Sequence, residues 1–291
     1  MQELIQKASI LMEALPYIRK FFGKTVVIKF GGSAMRDDPQ NGEFARDVVM
    51  LDTIGLNPVV VHGGGPQIGR MLEIMGIPSK FHNGMRITDE QTMDVVEMVL
   101  SGDINKDIVS LINRGGGKAV GLSGKDGGLI KAKRLPQEKV TVGSQASVVD
   151  YGRVGVVSEV DASVLRTLDQ GRFIPVIAPV GVDENGESLN INADLAAGGI
   201  AAALQAEKLV LLTDVEGIKD KDGKLISSLN ATEARRLIKE GVIQGGMIPK
   251  VECALAAISQ GVKSAHIIDG RVEHALLLEI FTDQGVGTVI S

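Results

Sequence analysis

Short apolar runs that end in glycine alternate with amphipathic helical stretches along almost all of the 291 residues. That alternation predicts an α/β fold, a three-layer αβα sandwich around a mainly parallel open sheet. Two of the glycine clusters, Gly31-Gly32 and Gly63-Gly64-Gly65, fall at the ends of strand-like runs, where an open parallel sheet binds its ligands.

The elements follow in order. Leu4, Ala8, Leu11, Leu15 and Ile18 recur at helical spacing, and Pro16 inside that pattern predicts a kinked N-terminal helix that covers its own domain or packs on another subunit. TVVIKF (Thr25 to Phe30) and PVVVH (Pro58 to His62) are buried strands, separated by a helix around Glu43 to Thr53. Pro66 suits the first turn of the next helix. Thr88 with Gln91 resembles a capping box that opens a helix to about Leu100. AVGLS (Ala119 to Ser123) is another strand, and the β-branched, glycine-containing residues 124–160 predict hairpins. FIPVIAPV from Phe173, KLVLLT from Lys208 and AHIID from Ala265 are further strands. Helices are expected around Asp194 to Leu204, Thr232 to Lys239 and Pro249 to Ser259. Asp220-Lys221-Asp222-Gly223 lacks the later ligands of a calcium loop and reads as a hairpin turn.

Composition narrows the function. The chain has no Trp and only two Tyr, which argues against a stacking surface for single-stranded nucleic acid. Its net charge of −5 and lack of a basic run argue against a nucleic-acid footprint, so anionic ligands must meet local cations. No apolar run has a bilayer-spanning length, so no membrane contact is expected. The single cysteine, Cys253, sits in an apolar helical pattern and fits packing in a reducing cytoplasm. His62, His82, His266 and His274 form no convincing metal pair.

The familiar phosphate motifs fail. Gly23-Lys24-Thr25 has Ile18 where a P-loop needs glycine, and a G-x-G-x-x-G frame from Gly63 ends on Ile68. Other features remain. Lys29 lies inside an apolar strand two residues before Gly31, a costly place for an ammonium unless it is paired or meets a ligand. Lys250 follows Gly245-Gly246-Met247-Ile248-Pro249 at a loop-to-helix junction, and Arg86 precedes a helix in Asn83-Gly84-Met85-Arg86-Ile87-Thr88. An arginine there could grip a carboxylate through two parallel hydrogen bonds, or could simply face solvent. Asn190-Ile191-Asn192-Ala193-Asp194 could cap a helix, and Thr213-Asp214-Val215-Glu216-Gly217 could touch a nucleotide or form a plain turn.

Together, Lys29-Phe30-Gly31-Gly32, His62 to Gly65, Asn83 to Thr88, Leu189 to Asp194, Leu211 to Gly217 and Gly245 to Lys250 resemble the amino acid kinase family over nearly the whole chain. The resemblance is strongest to members that phosphorylate N-acetyl-L-glutamate. It implies phosphoryl transfer from ATP to the γ-carboxylate of that acid in arginine synthesis, with Mg2+ held mainly by the nucleotide phosphates and no all-protein metal site. It further implies that Lys29 and Lys250 neutralise the transferring group and that Asp194 holds them in place. Gly64, Gly65, Arg86, Asn190 and Asn192 would bind the acid. Gly31, Gly32, Thr213, Asp214, Gly217 and Gly246 would serve ATP. The ends of the chain resemble arginine-inhibited members that assemble as hexamers, trimers of dimers, and Tyr17, Lys208, His266, Glu279 and Gly285 would form that effector site. The implied domains are an oligomerisation helix at 1–24, an acid-binding and dimerisation lobe at 25–180, and an ATP and effector lobe at 181–291. Aspartate, glutamate and carbamate kinases of the same family, and a catalytically silent nucleotide or arginine sensor, stand as rival readings.

Overall fold

The computed structural model describes residues 1–31, 39–142, 145–282 and 285–291. In chain order the elements are α1 (Gln2–Phe21), β1 (Thr25–Phe30), α2 (Pro39–Thr53), β2 (Asn57–His62), α3 (Gly65–Ile74), β3 (Lys80–His82), β4 (Met85–Ile87), α4 (Glu90–Glu97) and α5 (Asn105–Arg114). Then come β5 (Ala119–Ser123), β6 (Ile130–Arg134), β7 (Glu138–Val142), β8 (Gln145–Val149), β9 (Val154–Val160), α6 (Ser163–Gln170), β10 (Ile174–Ala178), β11 (Val180–Val182) and β12 (Ser188–Ile191). The chain ends with α7 (Ala193–Ala203), β13 (Lys208–Thr213), β14 (Ser228–Leu229), α8 (Ala231–Lys239), α9 (Met247–Ser259), β15 (Ser264–Asp269), α10 (Ala275–Phe281) and β16 (Thr288–Ile290).

The main sheet has eight strands in the order β14-β16-β15-β13-β1-β2-β10-β5. From β15 to β5 all neighbours run parallel, while β16 is antiparallel to β15. The expected three-layer, mainly parallel arrangement is therefore present. Its cause is visible in β1, where five consecutive residues are buried, because a parallel sheet is covered on both faces. Side chains alternate. Val26, Ile28 and Phe30 join one core with Phe44, Val48 and Leu51 of α2, whereas Val27 joins the other with Ala196, Ala197 and Ile200 of α7. Lys29 is on Val27's face, and His62 is on the face of Val60, which belongs to the first core.

Among the described residues of 124–160, β6 pairs with β9 and β7 with β8, both antiparallel, which fits the expected hairpins. The Asp220–Gly223 turn closes through Gly223 N to Asp220 O, with Gly223 at φ 79°. Two expectations need correction. Asp89, not Thr88, caps α4 by accepting from Thr92 N at 2.8 Å, because the Thr88 hydroxyl donates to Arg86 O instead. The helix does not stop at Leu100. It passes through a π-helical turn, Met98–Ile104, directly into α5. Helix α1 is continuous through Pro16. Its last turns pack inward at Tyr17 and Phe21, but Leu4, Ile5, Leu11 and Met12 are exposed, so its first half does not cover this chain.

Candidate active site

The crevice beyond the carboxyl end of β1 sits where the sheet order reverses: β1 leads to β2 on one side and borders β13 on the other. Lys29 reaches it from the second-last position of β1 and is 8 % exposed. Asp194 enters from the second residue of α7. Asn192 caps that helix, accepting from Asp194 N at 2.9 Å and Leu195 N at 3.3 Å. The alanine- and glycine-rich sequence of α7 lets it pack close: a Cβ at Gly198 would lie 2.8 Å from Cys253 Sγ of α9. The Cys253 thiol donates to Asp194 O at 2.9 Å, and burial pushes its pKa up to about 12, so it is a packing group, as expected. Lys250 comes from the first turn of α9.

These three side chains converge. Asp194 Oδ1 is 3.1 Å from Lys29 Nζ, and Asp194 Oδ2 is 2.7 Å from Lys250 Nζ. Burial favours the neutral acid, but Lys29 and Lys250 outweigh it and hold the Asp194 carboxyl below its ordinary range. Burial pulls the Lys29 ammonium down; Asp194 opposes that, and Lys250 adds to it. Gly31 completes this corner. A Cβ there would lie 3.2 Å from both Lys29 Cε and Nζ and 3.1 Å from Gly63 N. Gly32 lies outside the described residues.

On the β2 side, Gly64 caps α3, and Pro66 occupies the first turn. Arg86 is 8 % exposed on β4, donates to Gly65 O at 2.8 Å and to Ser79 Oγ, and stacks 4.6 Å from the Phe81 ring. Asn190 Nδ2 donates to Thr88 Oγ1 at 3.2 Å, tying β12 to the end of β4. Arg86, Gly64, Gly65 and Asn190 thus border one region, whereas Asn192 has its side-chain oxygen engaged in the helix cap.

On the C-terminal side, Asp214 and Gly217 line a cleft of about 680 Å³ that also takes in Lys219, Lys221, Ile243, Gln244, Met247 and Arg271. Its size suits a nucleotide. Thr213 is buried and exchanges hydrogen bonds with Val215 O (2.9 Å) and Val215 N (3.1 Å), so it shapes the turn. Gly217, at φ 146°, has no room for a Cβ, which would sit 2.7 Å from Thr288 Oγ1. Gly246 caps α9 beside Met247. The Gly241–Gln244 wall was not foreseen, because its residues carry no charge or motif.

Four of the five residues expected at an effector site, Lys208, His266, Glu279 and Gly285, also meet, at the amino ends of β13 and β15. His266 Nδ1 is 2.6 Å from Glu279 Oε1, and Lys208 Nζ is 3.1 Å from His266 Nε2. Glu279 Oε2 accepts from Val286 N at 2.8 Å, a Cβ at Gly285 would lie 2.8 Å from that oxygen, and Tyr17 stacks edge-on against Phe281. Burial favours the neutral form of Glu279, but His266 and the Val286 amide hold its carboxyl below the ordinary range.

Among the described residues, no helix is long and apolar enough to cross a membrane. The sequence model described as the amino acid kinase family matches residues 24–269. An acetylglutamate kinase of Syntrophobacter fumaroxidans is 61 % identical over 288 residues, covering 99 % of this chain and 97 % of that protein. The structure of N-acetylglutamate synthase from Neisseria gonorrhoeae complexed with coenzyme A and N-acetyl-glutamate is similar at TM-score 0.84 and 27 % identity. That match covers 98 % of this chain and 63 % of the synthase. The same synthase complexed with coenzyme A and L-arginine gives TM-score 0.81 at 26 % identity, covering 98 % of this chain and 65 % of that one. With a matching family model over most of its length and a full-length relative at this identity, the chain belongs to the amino acid kinase family and is a kinase.

Proposed function

We propose that this kinase transfers the γ-phosphoryl group of ATP to the γ-carboxylate of N-acetyl-L-glutamate, giving an acyl phosphate in arginine biosynthesis. The observation that carries the reading is the Lys29–Asp194–Lys250 constellation, set between a nucleotide-sized cleft and a glycine turn with a buried arginine. The full-length acetylglutamate kinase relative supports the choice of acid. A carboxylate acceptor has an ordinary pKa near 4.3 and is ionised at neutral pH, so no general base is required. Lys29 and Lys250 stabilise charge on the transferring group, and Asp194 fixes both ammoniums so that little reorganisation accompanies the reaction. Arg86, Gly64, Gly65 and Asn190 hold the acid; Gly31 presents its backbone N–H to the phosphates. Thr213, Asp214, Gly217 and Gly246 shape the nucleotide end. Asn192 acts on the acid through the helix cap that places Asp194. Both oxygens of Asp194 already face ammoniums, which fits a Mg2+ ion carried by the nucleotide phosphates; that ion supplies charge neutralisation there. ADP release with N-acetyl-L-glutamate, glutamate, aspartate and carbamate tests the reading: turnover should be highest with N-acetyl-L-glutamate, and a preference for another acid overturns it.

Arginine inhibition is a second part of the proposal. The Lys208–His266–Glu279 network gathers a buried carboxylate and polar donors at the amino ends of β13 and β15, chemistry that suits a cationic amino acid, and the related synthase has been solved with L-arginine. The exposed Leu4, Ile5, Leu11 and Met12 support a second copy as the partner of α1, hence a hexamer of three dimers in which residues 1–24 join neighbours. Residues 25–180 then serve as the acid-binding and dimerisation lobe and 181–291 as the ATP and effector lobe, in a cytoplasmic enzyme.

A further inference from the structure

His62 ends β2 with no exposed surface. Its Nδ1 is 3.0 Å from Gly63 O, and a carbonyl only accepts, so Nδ1 carries the proton. Nε2 is then an acceptor, and Asn105 Nδ2 donates to it at 3.2 Å. The Asn105 amide is fixed in turn. It is fully buried, its Nδ2 also donates to Val176 O at 2.9 Å, and its Oδ1 accepts from Lys106 Nζ at 3.0 Å. Burial pushes the His62 pKa down to about 4, which keeps the ring neutral and Nε2 free to accept. Room for this amide exists because residue 121 is glycine: a Cβ there would lie 1.9 Å from Asn105 Oδ1.

A trans peptide points its C=O and the following N–H in opposite directions. With Gly63 O turned to His62, on the α5 side of the sheet, Gly64 N–H must point away from that core. The next peptide is fixed similarly. Gly64 O accepts from Ile68 N at 2.9 Å inside α3, so Gly65 N–H points out of the helix start. Among the described residues neither N–H has a protein acceptor. The π turn sets the register of this support. Ile104 and Leu100 close over Gly64, where a Cβ would lie 2.3 and 2.6 Å from their methyl carbons, and Asn105 follows immediately.

We propose that His62, at the end of β2, and Asn105, directly after the π turn, are positioning residues that aim the Gly64 N–H at the acceptor acid. The proposal rests on the reading that this acid binds at Gly64 and Gly65. Neither residue touches the acid. His62→Phe fills the same space without the N–H, His62→Gln keeps a donor, and Asn105→Leu removes the support for Nε2. In steady-state ADP-release assays, His62→Phe should raise KM for N-acetyl-L-glutamate about tenfold while leaving KM for ATP within about twofold. Asn105→Leu should shift it in the same direction and His62→Gln should restore part of the loss. Equal changes in both KM values, or a lower active fraction with unchanged KM, would overturn the proposal. Nitrogen-15 NMR of histidine in the unmutated protein reads the geometry without a variant. A neutral Nδ1–H tautomer for His62 that does not titrate from about pH 5.5 to 8 is expected; an Nε2–H tautomer or an imidazolium sinks the idea even if the enzyme is active. If the NMR result holds but the unmutated enzyme ignores N-acetyl-L-glutamate, the functional reading fails and the orientation of the loop stands.

Discussion

Asp194 lies between Lys29 and Lys250, one carboxylate oxygen to each ammonium at 3.1 and 2.7 Å. The carboxylate cancels part of the repulsion between two cations in a largely buried corner and holds both at fixed positions. Asp194→Asn removes the charge and keeps the shape. We expect kcat to fall on the order of 10²–10³-fold, as for loss of one preorganised charge-stabilising group. Steady-state kinetics on the folded variant checks this, and near-normal turnover would remove the assigned role. Lys29→Ala and Lys250→Ala should each lose at least as much.

The alkaline side of the pH profile should report Lys29. Burial lowers its pKa from the ordinary 10.5, and the charged form is the active one, so raising pH through that lowered value removes activity. The kcat profile should therefore decline at a pH below 10.5. Because Lys29, Lys250 and Asp194 interact, the midpoint belongs to the group. Lys29→Arg, whose guanidinium stays charged, should flatten that limb even if its overall rate is low.

Gly31 is set by contact rather than by backbone strain. A methyl at this position presses on the Lys29 ammonium and on Gly63 N. Gly31→Ala should reduce kcat at least about tenfold through a displaced lysine. Thermal unfolding should shift only modestly, since Lys29 can yield at the end of a flexible side chain and the Gly63 backbone N need move by only a few tenths of an ångström. A large fall in Tm with unchanged kcat would contradict this account.

His274 gives a stability signature outside the Lys29–Asp194–Lys250 group. Its Nδ1 is 2.6 Å from Asp47 Oδ1, and that hydrogen bond, with the Asp47 and Glu43 charges, raises the imidazole pKa against the effect of burial. A folded pKa above the unfolded value means stability fully present below pH 6.5 and lost as pH rises through the raised value. His274→Gln should abolish that decline, measured as Tm across pH 6 to 9. A variant with the same slope as the parent would rule out the linkage.

The strand and helix pattern was legible because buried parallel strands are near-continuous apolar runs, as in Thr25–Phe30 and Lys208–Thr213. Lys29 stood out as a charge in such a run. Asp194 and Lys250 were legible one by one, but their meeting at one carboxylate needed the packing of α7 on α9. Asn105 gave no sequence signal: it lies in an ordinary helical stretch, and the π turn that aims it leaves no periodic trace over seven residues. Thr88 misled because two adjacent residues, Thr88 and Asp89, could each cap a helix, and the Thr88 hydroxyl is engaged elsewhere, donating to Arg86 O and accepting from Asn190.

Removing residues 1–20 tests the effector proposal. The deletion takes away Tyr17 and the exposed apolar first half of α1. Light scattering should give a dimer, and arginine should no longer inhibit it. A full-length protein that is itself a dimer and ignores arginine would contradict that part of the proposal.

The central claim is most directly tested by trapping the product with hydroxylamine during turnover of N-acetyl-L-glutamate and ATP. The account predicts one hydroxamate per ADP released, formed at the γ-carboxyl group, and loss of both signals together in Asp194→Asn. ADP release without hydroxamate, or equal hydroxamate yield from the Asp194→Asn variant, would contradict it.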